Sequence, residues 1–470
     1  MTPEEKILFS QQYVQFSEKT SHSTIMRKYH SCYLSNEDIQ SLLKVNFISE
    51  MAEEKVKGTV ITFSVAEEAK HRRRWIVWPR EHDETIDEQH QLCLPTIEQT
   101  IDDIRDCTYM ATLDLKNFYN QIPIAESAKP FYCISYNKKF YCLNVIPTGG
   151  KRCTSIAQCL ITATTRLSNA QSMSHQYVDN VRFASNNPTL ITQSLEKFYA
   201  TAAHYNITIN ENLADQHPAQ KGCFLGVEYQ MVCGKWYVNV RQRTVAKLHD
   251  ARQVLTSQPS LRMVMSVFGK LVWCSSILQI NIAHFYHCFK FLRRRCGWHL
   301  DSSANLWRST IPEWFRWIEL VLKNTSRTVE PTRTHLEACT VITDASLSGF
   351  GALAFHFGKV VGVVAGSWET RQHNNINVLE ITAVEYALQM LRLPSPYVHI
   401  IVDNTSAMWW LRKRRANSFF ANLAIRRIPN GIKILSINYI SSMNNPADAL
   451  SRLYDGNLNN DGNFVDLREG

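Results

Sequence analysis

The sequence predicts a multidomain protein of α/β and α+β classes. Three observations carry this expectation. The chain has 470 residues, 45% of them hydrophobic and 20% charged, a globular composition with length for two to four structural units. Short β-favouring runs alternate with helical ones in two separate stretches. In each stretch, aspartates stand where an apolar run ends.

Taken in order, residues 1–65 form an N-terminal extension with Ser- and Thr-rich breaks and no motif that assigns a role. Residues 66–232 carry the first β/helix alternation. Residues 233–339 read as helical, with apolar residues at helical spacing in LRMVMSVFGKLVWCSSIL (261–278), and end in a linker-like TRTHLEACT (332–340). A second α/β unit covers 340–452, and the Asn/Asp/Gly-rich tail 453–470 reads as disordered.

Composition narrows the function classes. The start, MTPEEKILFSQQYVQF, lacks the layout of a signal peptide, and no window reads as a membrane span. The expectation is an intracellular protein, cytoplasmic or nuclear, without a membrane partner. Thirteen cysteines, none in a C-x-x-C pair, fit reduced structural thiols rather than a zinc site. The net charge of +9 allows a polyanionic partner. KHRRR (70–74), FLRRRCGW (291–298) and LRKRRAN (411–417) are the basic clusters; each by itself is more often a solvated face than a binding site.

The first candidate site lies in YMATLDLKNFYNQIPI (109–124) and HQYVDNVRFAS (175–185). Tyr109 to Leu113 reads as a strand that delivers Asp114 at its end. The second segment reads as a hairpin with Asp179-Asn180 as its two turn residues. Two aspartates brought together on one sheet can hold Mg²⁺ and clamp a phosphoryl transfer. Singly, each has a structural explanation: Asp-Asn is a common turn, and an Asp after a strand often caps a helix.

A second set of acids follows. VITDASLSGFGALAF (341–355) reads as a hairpin with Asp344 near its start and Gly349 and Gly351 at the turn. INVLEITAVEYALQM (376–390) reads as a helix with Leu379, Ala383, Tyr386 and Met390 on one stripe and Glu380 beside it. VHIIVDNTSAMWWL (398–411) delivers Asp403 from a buried strand, and NNPADALSR (444–452) places Asp448 in a first helical turn after Pro446. Taken alone, each reads more readily as structural, Glu380 as a solvated helix face and Asp448 as a dipole partner. Trp314, Trp317, Trp409 and Trp410 stand among apolar residues and are expected in the core.

The order LDLKNFYNQI, VIPTGGKRCTSIAQ (145–158), YVDN, CFLGVEY (223–229) resembles the palm of reverse transcriptases. TDAS, LE, DN and ADALSR, again in order, resemble the RNase H fold. The phrases GSWE, NNINVLE and DNTS are similar to those of DIRS-type, tyrosine-recombinase retroelements, within the broader LTR/DIRS group. The resemblance implies a right-hand polymerase of fingers, palm and thumb followed by an RNase H-like α/β domain. It implies an enzyme that copies RNA into DNA and cleaves the RNA strand of the hybrid, with Mg²⁺, or Mn²⁺ in its place. The implied partners are an RNA template, a DNA primer, the RNA–DNA hybrid and dNTPs.

By the same resemblance, Asp114 and Asp179 are metal ligands of the polymerase, and Asp344, Glu380, Asp403 and Asp448 those of the hydrolase. Tyr119 falls on the steric gate against ribonucleotides, and Arg74 on the arginine that grips the triphosphate. Gln158 falls on the residue at the templating pair, and Lys221 stands nearest to the lysine at the end of the palm. The sequence departs from the family at Asn180, where a second hairpin aspartate is usual, at Thr154 in place of a proline, and at Asn438 in place of a histidine. Two alternatives stay open: a non-catalytic nucleic-acid scaffold derived from such a polymerase, or an active RNase H beside an inactive polymerase.

Overall fold

In the computed structural model, the structure describes residues 32–67, 72–84, 94–295, 297–368 and 375–454. The first 31 residues, the tail from 455 onward, His71 and Lys70 of the first basic cluster, Cys296 of the second, and Glu369 of the GSWE phrase lie outside these. The chain forms two compact units. One comprises residues up to 100 together with 107–225; the other comprises 101–106 together with 226 onward.

Three small sheets build the first unit. Strands β1 (Cys32–Tyr33), β3 (Ile61–Glu67) and β4 (Arg72–Trp78) make one. Strands β2 (Ile48–Met51), β7 (Lys139–Leu143) and β6 (Cys133–Tyr136) make the second. The third, in the order β5 (Tyr109–Asp114), β9 (Asn180–Ser185), β8 (Met173–Tyr177), is antiparallel throughout. The longer helices that accompany them are α1 (Asn36–Lys44), α2 (Cys153–Leu167) and α3 (Pro188–His204). Ser35 and Asp38 form a capping box at the start of α1. Asn187 caps α3, and Pro188 follows in its first turn, where the missing N–H is harmless. Val181 and Phe183 of β9 alternate onto the face covered by Ile156, Ala157 and Ile161 of α2 and Leu195 and Phe198 of α3, all buried. This core fixes β5 and β9, and therefore their ends. Residues 32–65, without an assigned role in the sequence, thus supply three strands and a helix to this unit.

In the second unit, β11 (Val227–Val232) and β12 (Lys235–Val240) form a hairpin, and β13 (Ser326–Thr328) pairs with β12. The stretch that reads as purely helical therefore begins with a strand. Its signal was the Cys233-Gly234 pair, which takes φ of 48° and 73°, the positive values that a tight hairpin turn requires. Helices α4 (Leu261–Leu278), α5 (Tyr286–Arg294) and α6 (Ile311–Lys323) follow. Helix α4 is long and apolar enough by composition to cross a bilayer, contrary to the sequence expectation. Its stripe Val264, Val267, Leu271, Cys274 and Leu278 is buried within the protein. Trp317 of α6 donates to Ser275 Oγ at 2.8 Å, and Trp314 and Trp317 are fully buried, as expected of them. The linker-like stretch starts with a short helix, Thr332–Leu336.

A five-stranded sheet completes the unit in the order β16 (Lys359–Ser367), β15 (Gly349–His356), β14 (Cys339–Ala345), β17 (Tyr397–Val402), β18 (Lys433–Tyr439). Strand β15 is antiparallel to both β16 and β14, whereas β17 runs parallel to both β14 and β18. Its helices are α7 (Ile376–Met390), α8 (Thr405–Arg412), α9 (Phe419–Arg427) and the short α10 (Asp448–Ser451). Two faces of α7 are buried. Val378, Ile381, Val384 and Leu388 enter the main core, while Leu379, Ala383, Tyr386 and Met390 pack around Phe350. A helix covered on two sides has little room for a solvated carboxylate, which decides the environment of Glu380. Trp409 departs from expectation: it is 48% exposed, and Arg412 and Lys413 lie over its ring. Helix α8 buries Ala407, Met408 and Leu411, and Trp409 falls on the opposite side.

Candidate active sites

In the first unit, β5 ends at Asp114, directly opposite Asn180 in the ladder. The hairpin turn differs from the expected one by one residue. Tyr177 pairs with Asn180, so Val178 and Asp179 are the turn residues and Asn180 opens β9. Val178 takes the positive φ, 56°, an uncommon conformation for a β-branched residue. Gln158 helps to hold it: its Oε1 accepts from Val178 N at 2.7 Å, while its Nε2 donates to Gln176 O at 3.1 Å. The structure thus places Gln158 under the hairpin. Leu115 N donates to Asp179 O at 2.7 Å, which ties the strand end to the turn.

Each of these aspartates is held by a neutral amide. Asn180 Nδ2 donates to Asp179 Oδ1 at 2.8 Å, and Asn210 Nδ2 donates to Asp114 Oδ2 at 2.6 Å. The backbone N–H of Asp114 donates to Glu211 Oε2 at 3.0 Å. Asn210 and Glu211 escaped the sequence reading, because nothing in a stretch nearly a hundred residues downstream points back to Asp114.

Of the other expected residues, Tyr119 lies near Asp179 and Arg74, whereas Lys221 follows Ala219, which bridges Met110 near the start of β5, away from Asp114. Strand alternation separates the arginines of KHRRR. Arg73 points toward α1, where it pairs with Asp38 at 3.1 Å. Arg74 is exposed on the opposite face of β4. The loop after Ile146 is zipped to β4 by Gly149 N donating to Val77 O at 2.9 Å. A Cβ on Gly149 would meet that oxygen at 2.6 Å, so only glycine lets the loop approach. Tyr119 is half-buried, and its hydroxyl lies 3.2 Å from Thr154 Oγ1. Thr154, which replaces the family's proline, therefore gives the ring a hydrogen-bond partner. Burial raises the Tyr119 hydroxyl above the ordinary tyrosine range; nearby Asp179 adds to this and Arg74 opposes it. Lys221 opens β10 (Lys221–Phe224), is exposed, and makes no side-chain hydrogen bond or ion pair among the described residues.

The second site is more buried. Asp344 sits inside β14 and Glu380 on α7, each 4% exposed, and Asp403 follows β17. One carboxylate oxygen from each lies within 4.8 Å of the others. Asp448, the fourth expected acid, stands apart from this triad, gripped by Arg452 Nε at 3.0 Å and Nη2 at 2.9 Å. Asn445 Nδ2 donates to Asp344 Oδ1 at 3.1 Å, and Ser451 Oγ donates to Asp344 Oδ2 at 2.5 Å. The ADALSR motif therefore does three things: Asp448 supplies an acid, Ser451 holds Asp344, and Arg452 holds Asp448. Asn438 lies in β18 and donates to Ser436 Oγ at 3.0 Å.

Electrostatics at this site favour a bound cation. Burial raises Glu380 to about 9, and Asp403 and Asp344 add to the shift. Burial also raises Asp344; the Ser451 hydrogen bond opposes it, while Asp403 and Asp448 add to it. Glu380 Oε2 is a buried oxygen without a hydrogen-bond partner. Crowded carboxylates with an unmatched buried oxygen are the donor set that a hard divalent cation takes.

Gly349 and Gly351 lie in β15 rather than at the turn, which is built by Ser346 and its neighbours. Their role is close approach. A Cβ on Gly351 would meet Leu450 Cβ at 2.4 Å, Ser451 N at 2.7 Å and Ala447 O at 2.8 Å. Glycine lets α10 lie against the sheet and bring Ser451 to Asp344.

Fold and acid clusters together define the class: a right-hand polymerase followed by an RNase H-like domain. Residues 75–229 match the family described as reverse transcriptase (RNA-dependent DNA polymerase). None of the curated proteins matches the sequence. Among solved structures, the chain resembles the foamy viral protease–reverse transcriptase. It has a TM-score of 0.54 and 13% identity to the dRH form in complex with double-stranded DNA, covering 93% of this chain and 79% of that one. A second complex with double-stranded DNA gives 0.53 and 14%, covering 94% of both chains. The complex with an RNA/DNA hybrid gives 0.52 and 15%, covering 94% of this chain and 61% of that one.

Two outcomes test the second site. Gly351→Ala should displace α10 and lower hybrid cleavage by at least about tenfold, with the fold and primer extension kept, because misplacing a ligand-bearing element is costly. Cleavage at the parent rate would remove the close-approach argument. The second outcome concerns pH without divalent ions. Glu380 has a folded-state pKa above its unfolded value, so the folded protein favours the protonated form. The resulting destabilisation is absent below the ordinary glutamate range and grows as pH rises toward about 9. In EDTA, Glu380→Gln should raise the melting temperature by a few degrees at about pH 8 and little at about pH 5. An equal effect at both pH values would contradict the burial argument.

Proposed function

We propose that the chain is a retroelement RNA-directed DNA polymerase with a ribonuclease H on the same polypeptide. The observation that carries the reading is the pairing of two acid sites: Asp114 with Asp179 at adjoining ends of one sheet, and Asp344, Glu380 and Asp403 within 4.8 Å of one another. A reverse transcriptase domain over residues 75–229 supports the polymerase half. The foamy viral relatives were solved with double-stranded DNA and with an RNA/DNA hybrid, which supports an RNA template, a DNA primer and their hybrid as partners here. We assign fingers and palm to 66–232, a helical thumb and connection to 233–339, and the hydrolase to 340–452. The phrases GSWE, NNINVLE and DNTS favour a DIRS-type origin. An intracellular location, cytoplasmic or nuclear, follows from the substrates.

The residues divide the work by chemistry. Asp114 and Asp179 would hold Mg²⁺ in the palm, and Asp344, Glu380, Asp403 and Asp448 would hold it in the hydrolase. When bound, the ion supplies stabilisation of the attacking and leaving oxygens of a phosphoryl transfer. Arg74, on the solvent face of β4, would neutralise the triphosphate of an incoming dNTP. The Tyr119 ring, braced by Thr154, would crowd a ribose 2′-oxygen and so favour deoxynucleotides. Gln158 keeps the hairpin in register, so that Asp179 faces Asp114. In the hydrolase, Asp448 would leave its Arg452 pairing to complete the ligand set as a hybrid binds.

Asn180 favours a second reading, a nucleic-acid scaffold with a silent polymerase, since it removes a carboxylate from the hairpin. Substitutions discriminate between the two. Asp114→Asn and Asp179→Asn should each abolish primer extension on an RNA template and leave hybrid cleavage intact. Asp403→Asn should do the reverse. Parent-rate extension by either palm variant would contradict the assignment of that site.

A further inference from the structure

We infer that Asn210 is a positioning residue for Asp114, and that residues 207–212 form a clamp whose purpose is to aim that carboxylate. The inference rests on the polymerase reading above.

The clamp meets the end of β5 at successive points. Lys116 N donates to Thr208 O at 3.1 Å, Leu115 bridges to Ile209, and Asn210 N donates to Asp114 O at 2.9 Å. Gln121 secures the other side, since its Oε1 accepts from Thr208 N at 2.7 Å and its Nε2 donates to Thr208 O at 3.0 Å. Tyr199 of α3 donates to Glu211 O at 2.8 Å, which anchors the segment to the helix that packs on β5 and β9. These bonds fix the backbone. Backbone bonds of this kind act on the main chain and do not by themselves set the direction of the Asp114 carboxylate. Two side chains of the clamp reach the aspartate: Glu211 Oε2 accepts from its backbone N–H at 3.0 Å, and Asn210 Nδ2 donates to its Oδ2 at 2.6 Å.

The choice of an amide has a physical consequence. An ammonium or guanidinium at that position would neutralise Asp114 and compete with a cation for it. An amide orients the carboxylate through a hydrogen bond to a charged group while leaving its full negative charge. Asn180 does the same for Asp179 at 2.8 Å. Both amides direct an aspartate without adding a positive charge of their own, which matters most where the hairpin lacks a further carboxylate. Asn210 acts on the cation only through Asp114.

The test uses the full chain with Asp344→Asn and Asp403→Asn, so that the hydrolase acids do not dominate metal binding. Mn²⁺ binding to the complex with primer, template and a non-hydrolysable dNTP is followed by electron paramagnetic resonance, and single-turnover extension is measured alongside. Asn210→Ala should weaken Mn²⁺ binding and lower the maximal extension rate, each by about tenfold, the loss of one hydrogen bond to a charged group. The dNTP concentration for half-maximal rate should stay within about twofold. Asn210→Gln, which keeps the amide on a longer arm, should recover part of both losses; this recovery separates aiming from a general loss of structure. Mn²⁺ affinity and rate of Asn210→Ala within about twofold of an active parent would overturn the clamp and leave the polymerase reading standing. A parent that binds primer and template yet extends nothing with either metal would overturn that reading, and the clamp with it.

Discussion

Carboxylates placed side by side repel one another, and a fold that gathers them must hold them there. Both units of this protein meet that constraint, by different means. In the RNase H-like domain the acids are taken out of water. Asp344 and Glu380 are 4% exposed, and burial raises the pKa of each. The rest of the domain serves this placement: α7 is covered on two faces, α10 is pressed onto a glycine-lined strand, and Asn445 and Ser451 donate to Asp344. In the palm the acids stay near water and are steadied by amides. Asn210 and Asn180 each donate to one aspartate. An amide tolerates solvent and needs no desolvation, which suits a site open to a nucleic-acid end.

The sequence disclosed the parts of this plan that have local signatures. Strand β5 ends at Asp114 because five β-favouring residues precede it, and Asp403 follows a run of β-branched residues. What it missed was set by tertiary approach. The Val178–Asp179 turn is one residue earlier than Asp-Asn turn chemistry suggests, because Gln158 from α2 binds the Val178 N–H and stabilises a conformation that valine alone disfavours. Gly349 and Gly351 look like turn residues until α10 is seen against them. No local pattern marks Asn210 as the partner of Asp114, since 96 residues separate them.

The basic and aromatic residues follow the same division between local and tertiary causes. Of the arginines in KHRRR, alternation assigns Arg73 to Asp38 and leaves Arg74 facing outward. In LRKRRAN, Arg412 donates to Ile437 O at 2.8 Å and Arg415 lies 4.1 Å from the centre of the Phe289 ring, so both brace the fold. Lys413 is exposed and, with Arg412, lies over the exposed Trp409. Charge counted along the sequence overstates what is available to a polyanion, because part of it is committed to packing.

The central claim is that the palm remains a metal-dependent catalyst although asparagine replaces one hairpin carboxylate. Primer extension on an RNA template, titrated with Mg²⁺ and with Mn²⁺ for the parent and for Asn180→Asp, tests it most directly. Asparagine keeps the hydrogen bond to Asp179 but contributes no charge, so metal affinity should be weak and the chemistry intact. The account predicts extension by the parent at raised Mg²⁺ or with Mn²⁺, and a lower metal requirement for Asn180→Asp. Tight template binding with no extension by the parent under either metal would contradict it.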